Sequence, residues 1–403
     1  MAAVTSDPID ILRSRTSEKW AEHPEDVLPM FVAEMDYPLA EPIRRALHDA
    51  IDRGDAGYVA SSNPLATAFR GFAQRRWGWD LTGARLLSTA DVSMGIVEIL
   101  RQVTEPGDRV VITPPVYPPF FDLVAEAGAS VAAVPLVDAG AGLRLDLHAL
   151  ERAFAAGARA FVLCNPHNPL GHPHSRDELT ELADLAAAYG VRVISDEIHA
   201  PLVHPGSTFT PYLSVSESAR ASGFALHSAS KAWNIAGLKC ALLVAEGDEP
   251  ARILDRMPYE VTWRTGQFGM LASTAAYTDG DEWLDGVLSS LTSNLDLLDR
   301  LLREHLPEVS WCRPEASYLA WLDFRGRGWG NDPAEHILRE AKVALSPGPG
   351  FGEPGAGFAR MNIACSPGLL EGAIRRIAAV PPGTRTGEPG SQTGAGEIPA
   401  RAT

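Results

Sequence analysis

A lysine placed just beyond a buried strand is badly sited for a surface charge and well sited for chemistry. Residues 227–239 read HSASKAWNIAGLK and follow the apolar run Gly223-Phe224-Ala225-Leu226, so Lys231 stands where a strand gives way to small hydroxyl residues. Its ordinary reading is a solvated surface lysine. A desolvated amine there could instead condense with a carbonyl or carry a proton. A second stretch, SDEIHAPLV (195–203), sets Asp196 and Glu197 directly after a mostly apolar run. A carboxylate at the end of a buried strand is costly without a cation or hydrogen bonds. Asp196 is therefore either a helix cap or loop acid, or the counter-ion of a protonated ring. A third stretch, CNPHNPLG (164–171), ends a run with two Asn-Pro steps that project side-chain amides from a rigid turn.

The elements that must position these groups follow from the apolar pattern. The runs at 109–113, 160–164, 191–195 and 241–244 are continuous and apolar, as in strands buried on both faces. Between the second and third, leucines 179, 182 and 185 fall on one face of a helical segment, 176–189, ended by Gly190. This is a βαβ pattern and predicts an α/β fold with a mostly parallel sheet flanked by helices. Ligands bind at the carboxyl ends of such strands. From residue 284 to 302, leucines and a valine at three-four spacing predict a long amphipathic helix. A strand at 317–323 and the Gly/Pro-rich SPGPGFGEPGAG before FARMNI then predict a smaller α+β unit. We expect an N-terminal arm (1–45), a large domain (46–280), a small C-terminal domain (281–380) and a disordered tail (381–403) almost free of apolar residues.

Taken together on successive strand ends, a Schiff-base lysine and an aspartate facing a ring nitrogen point to pyridoxal 5'-phosphate (PLP). A loop enters a helix near residue 92 in STADVSMGIVEILRQV, which makes the backbone amides of Val92 and Ser93 natural phosphate donors. The net charge of −16 argues against nucleic acid or an anionic membrane as partner. The four cysteines, 164, 240, 312 and 365, contain no C-x-x-C pair and read as free thiols; no metal site is expected. With no signal-peptide pattern and no membrane-length apolar stretch, the expected location is the cytoplasm.

The series PPVYPPF, CNPHNPLG, SDEIHAPLV, SASKAWNIAGL and FARMNIAC, preceded by SEKW and LPMFVAEMDYP, resembles the fold-type I PLP enzymes of the class I/II aminotransferase superfamily. Within them it is most similar to the MalY/PatB group of cystathionine β-lyase-like C–S lyases, over about residues 13–378. The resemblance implies that Lys231 carries the cofactor and then removes the substrate Cα proton. It implies that Asp196 pairs with the pyridinium nitrogen, that Asn168 and His199 lie at the ring 3′ oxygen, and that Tyr117 stacks on the ring. Ser228, Ser230 and Lys239 would add to the phosphate site. Tyr58 resembles a tyrosine that reaches the phosphate of the neighbouring subunit, which implies a homodimer with shared active sites. Arg360 resembles the arginine that grips the substrate α-carboxylate, helped by Asn168. The group's usual ADMDF reads here Ala33-Glu34-Met35-Asp36-Tyr37, and its usual Gly-Val step reads DVSMG.

The activity so implied is β-elimination on an L-cysteine S-conjugate such as cystathionine, giving a thiol, pyruvate and ammonia. Tyr117, Tyr58 or Lys231 could protonate the leaving sulfur. An aminotransferase uses the same lysine, aspartate and arginine and is the first alternative. A tailoring step on a larger cysteine S-conjugate, by elimination or by oxidative or decarboxylative deamination, is another. A non-catalytic regulatory protein has no need for the intact residue set.

Overall fold

The computed structural model describes residues 3–60, 64–140 and 142–383. Most of the expected tail, 384–403, lies outside the described residues. The central sheet has seven strands: β1 (Arg85–Thr89), β2 (Arg109–Ile112), β3 (Ser130–Ala133), β4 (Ala158–Cys164), β5 (Arg192–Asp196), β6 (Phe224–His227) and β7 (Ala241–Ala245). Their order is β1-β7-β6-β5-β4-β2-β3. All pairings are parallel except those of β7, which runs against both β1 and β6.

The continuous apolar runs have the expected cause. Val110, Ile112, Val162 and Cys164 pack into a core on one face of the sheet, whereas Val111, Phe161 and Leu163 pack into a core on the other. Helix α1 (Val92–Val103) seats directly on the sheet because Gly95 has no side chain. A Cβ there would lie 2.5 Å from Leu243 and 2.9 Å from Leu226. Helix α2 (Arg176–Tyr189) is capped by the Ser175 hydroxyl, and ends where Gly190 adopts φ 67°.

The predicted amphipathic helix is α3 (Asp281–His305), with Leu284, Leu288, Leu291, Leu295, Leu298 and Leu302 all buried. Each such leucine contributes about 1.5–3 kcal/mol by leaving water. A second sheet, of four strands, includes Leu319–Asp323, Ser346–Pro347 and Phe358–Asn362. The N-terminal segment forms a separate two-stranded sheet with the C-terminal part of the chain. Leu28 and Pro29 pair in parallel with Val343 and Ala344, and the Asp36 amide donates to the Ala364 carbonyl. No helix among the described residues is long and apolar enough to cross a membrane. Cys164, Cys240 and Cys365 are buried free thiols, and Cys312 is exposed.

Candidate active site

Because β7 alone is reversed, β1, β2, β4, β5 and β6 all end on one edge, and the residues beyond them converge. β4 and β5 place Cys164 opposite Asp196 in register, and Asp196 lies opposite Leu226 of β6. A cleft of about 210 Å³ opens there. Its walls include Val92, Ser93, Tyr117, Asn168, Asp196, His199, Ser230, Lys231, Lys239 and Arg360. Ten of the twelve site residues expected from the sequence thus meet around one space.

Two do not line it. The Ser228 hydroxyl is spent locally, donating to the Cys240 carbonyl at 2.7 Å and accepting from the Ser230 hydroxyl at 2.8 Å and the Ser230 amide at 3.1 Å. It fixes the end of β6 against the segment entering β7. Tyr58 is 85% exposed and stacks on Trp263 at 5.5 Å, away from the cleft of its own chain. Lys239 borders the cleft but is ion-paired at 3.1 Å with Asp91, whose other oxygen caps α1 through the Met94 amide.

Lys231 is partly buried, and its Nζ has one hydrogen-bond acceptor, the Ala33 carbonyl at 3.4 Å. Burial first, and the Arg360 guanidinium second, push its pKa down to about 8, although Glu34 and Asp196 pull the other way. Asp196 is 6% exposed, and its carboxylate accepts from the Ile198 amide at 3.1 Å. Desolvation raises its pKa to about 7, with Glu197 adding to the shift and Lys231 opposing it. Glu197, by contrast, points to the other side: it accepts from Ser195 and the Tyr212 amide, and sits 3.0 Å from His227.

Arg360 is 7% exposed and lies over the Phe351 ring. It donates to Asn168 Oδ1 at 3.0 Å, Ser346 Oγ at 3.0 Å and the Phe31 carbonyl at 3.2 Å, while its Nε is buried without an acceptor. His199 meets the Ser317 hydroxyl through Nδ1 at 3.1 Å, and burial lowers its pKa to about 3. Burial also raises the Tyr117 hydroxyl above the usual phenol range. Asn165 serves the turn, its amide held by the Thr210 carbonyl and the His174 backbone.

The strap that closes one wall was only partly legible. The carbonyls of residues 31–35 are each held by a side chain. Ser346 and Arg360 hold Phe31, Asn362 holds Val32, Lys231 and Tyr318 hold Ala33, Lys19 and Asn362 hold Glu34, and Asn234 holds Met35. Lys19 and Asp36 form a fully buried ion pair at 2.9 Å beneath it. Asn234 and Asn362 stand inside the motifs NIAGL and MNIAC, which was their one sequence signal. Tyr318, Ser317 and Ser346 had none, since hydroxyl residues in ordinary strands and loops carry no spacing code.

These residues fit PLP. A desolvated carboxylate with no ion-pair partner among the described residues calls for a cationic ring nitrogen. The first amides of α1, at Val92 and Ser93, have no acceptor inside their helix and border the same cleft, as a phosphate requires. Lys231 supplies an amine whose neutral form burial favours more than in water.

The fold and the cleft define a PLP enzyme of fold type I, and the comparisons agree. The chain belongs to the aminotransferase class I and II family, whose model matches residues 27–377. A Mycobacterium leprae protein provisionally named a cystathionine beta-lyase is 45% identical over 93% of this chain and 98% of its own. The cystathionine beta-lyase of Corynebacterium glutamicum is 36% identical, over 92% of this chain and 98% of its own. A crystal structure from Corynebacterium diphtheriae, described provisionally as a PLP-dependent beta-cystathionase, superposes with a TM-score of 0.88 at 35% identity. It covers 93% of this chain and 98% of the other.

One consequence of the lysine's surroundings is measurable in the cofactor-free protein. Only the neutral amine attacks an aldehyde. The rate of cofactor capture is therefore expected to rise about tenfold per pH unit below the Lys231 pKa and to level off above about 8. Stopped-flow absorbance after mixing with pyridoxal phosphate checks this; a rate still climbing at the pH of an ordinary lysine would contradict it.

Proposed function

We propose that this chain is a PLP-dependent carbon–sulfur lyase that splits L-cysteine S-conjugates of the cystathionine kind into thiol, pyruvate and ammonia. The observation that carries the reading is the meeting of Lys231, Asp196 and Arg360 in one cleft. The relatives named cystathionine beta-lyase support the reaction class. When bound, PLP supplies an electron sink for negative charge developing at the substrate Cα. Asp196, Asn168, His199, Tyr117, Ser230, Lys239 and the amides of Val92 and Ser93 would hold it.

Arg360 then takes the substrate carboxylate. Its buried Nε lacks an acceptor, so a carboxylate satisfies a donor the protein leaves open. Its bond to Asn168 and its stacking on Phe351 fix the plane of the guanidinium before substrate arrives. Lys231, with its pKa pushed down to about 8, takes the Cα proton as a neutral amine. Departure of the thiolate from Cβ calls for a proton, and Lys231, Tyr117 and Tyr58 remain the candidate donors.

Tyr58 forms an exposed aromatic group with Trp263 and Tyr259, which are 48% and 66% exposed. Such a patch is poorly left to water. It supports a homodimer in which Tyr58 serves the cleft of the other subunit. The unpaired thiols support a cytoplasmic setting.

The direct test is pyruvate release from L-cystathionine by the cofactor-loaded protein with no keto acid present. We expect stoichiometric pyruvate and ammonia. Turnover that needs an added keto acid would replace this reading with transamination, the reaction for which the family is named. Failure on cystathionine but turnover of a bulkier cysteine S-conjugate would move the substrate, not the chemistry.

A further inference from the structure

The turn that carries Asn168 runs on into a cluster the reaction does not use. Among the described residues, His172, His174 and Glu178 each offer one ligand atom, and these atoms lie within 4.8 Å of one another. The sequence H-x-H-x3-E supplies them from the loop before α2 and the first turn of that helix.

Each is already aimed. Glu178 accepts from the Leu145 amide through Oε1 at 3.1 Å, which turns Oε2 toward His174 Nδ1, 3.0 Å away. The His174 backbone amide is tied to Asn165 Oδ1, and the His172 carbonyl accepts from the His167 amide at 2.7 Å. The His174 side chain is 1% exposed, yet its Nε2 has no hydrogen-bond partner, and neither has Nε2 of His172. Two buried imidazole nitrogens are thus left without a partner in a cluster whose carboxylate is held at the other ring nitrogen of His174, and hydrogen bonding within the chain does not account for them. Glu315 lies 3.9 Å from His172 Nδ1 and is within reach as a further acidic group, while Arg144 borders the same cavity and adds positive charge.

We propose that His172, His174 and Glu178 form a binding site for a divalent transition-metal ion of the zinc type, separate from the catalytic cleft. Two imidazoles and one carboxylate suit zinc, cobalt or nickel and disfavour magnesium or calcium, which prefer all-oxygen sites. Three protein ligands leave a position for water or Glu315. The bound ion clamps residues 165–178, and through the turn closed by Gly171 N to His167 O it braces Asn168 against Arg360. Its role is structural, and it departs from the sequence-based expectation of no metal.

The test uses untagged, PLP-loaded protein passed over a chelator and desalted. ZnCl2 is titrated in competition with a chromophoric chelator, and CoCl2 binding is followed by its visible absorbance. We expect one tight site per chain, an intense cobalt band of low coordination number, and a higher unfolding midpoint with one equivalent of zinc. His172→Ala and Glu178→Gln should each weaken zinc binding about 10–100-fold and abolish the thermal shift while retaining the cofactor. His172 is chosen over His174 because its side chain is 15% exposed, so its removal perturbs packing less. Equal zinc titrations in wild type and both variants, or no site that competes with the chelator, would overturn the proposal.

Discussion

Lys231→Ala is expected to lower kcat for pyruvate formation by at least about 10³–10⁴-fold, the scale of losing a positioned proton-transfer group. The result has to be separated from a folding defect, and the lysine's own electrostatics do so. In the unfolded chain the amine has its ordinary pKa of 10.5, whereas in the fold burial pushes it down to about 8. A folded pKa below the unfolded one means that holding the ammonium costs stability. The cost is fully present below about pH 8 and disappears as the pH rises from there toward 10.5. At neutral pH it amounts to at most about 3 kcal/mol, less where cleft water screens the amine. Removing the charge relieves that cost, so the cofactor-free Lys231→Ala protein should unfold no earlier than wild type at pH 7 while activity collapses. Partial recovery of turnover with added methylamine would tie the loss to the missing amine. A variant that keeps more than about a tenth of the wild-type rate would refute the role.

Asp196→Asn should produce the second-largest effect, and mainly on the cofactor. The carboxylate is 6% exposed, takes one backbone hydrogen bond and has its pKa lifted to about 7, so the protein's own groups only half-support its charge. A protonated pyridine nitrogen provides the missing counter-charge. Asparagine keeps the shape and can accept a hydrogen bond, but it cannot stabilise that proton. Breaking a buried ion pair costs about 3–5 kcal/mol, which corresponds to a cofactor Kd raised roughly 10²- to 4 × 10³-fold. The bound cofactor should also lose its role as electron sink, so kcat should fall even at saturating PLP. Equilibrium dialysis and initial rates measure the two parts. Unchanged cofactor affinity together with unchanged kcat would place the carboxylate outside the ring-binding role.

Much of this site is legible in the sequence because its residues sit at strand ends within short motifs. Apolar runs buried on both faces identified strands at Arg109–Ile112, Ala158–Cys164, Arg192–Asp196 and Ala241–Ala245. The helix over Arg176–Tyr189, with its terminating Gly190, was fixed by leucine spacing and the left-handed preference of glycine. Lys231, Asp196 and the Asn168 amide stood out because polar groups at the end of a buried strand are costly there, whereas Arg360 was marked only by the resemblance of FARMNIAC to a family motif.

Other features depended on where distant segments meet. Strand Ala241–Ala245 has the same apolar composition as its parallel neighbours, so its reversal is invisible in sequence; hydrogen-bond pairing with both Arg85–Thr89 and Phe224–His227 decides it. Ser228 and Ser230 look alike in SASK, yet only Ser230 borders the cleft, because the Cys240 carbonyl lies within reach of Ser228. The strap at residues 31–35 is held by side chains from residues 19 to 362, and no local pattern encodes contacts of that span.

The sequence by itself therefore determined the fold class and pointed to the cofactor chemistry, since these follow from periodicity and from residue types that are costly where they occur, while the other polar groups were marked by the resemblance of their motifs to a known family. The tertiary structure alone decided which of those groups share a cleft, how far burial moves Lys231 toward 8 and Asp196 toward 7, and that His172, His174 and Glu178 converge. Desolvation and convergence are properties of three-dimensional surroundings, which spacing along one chain does not specify.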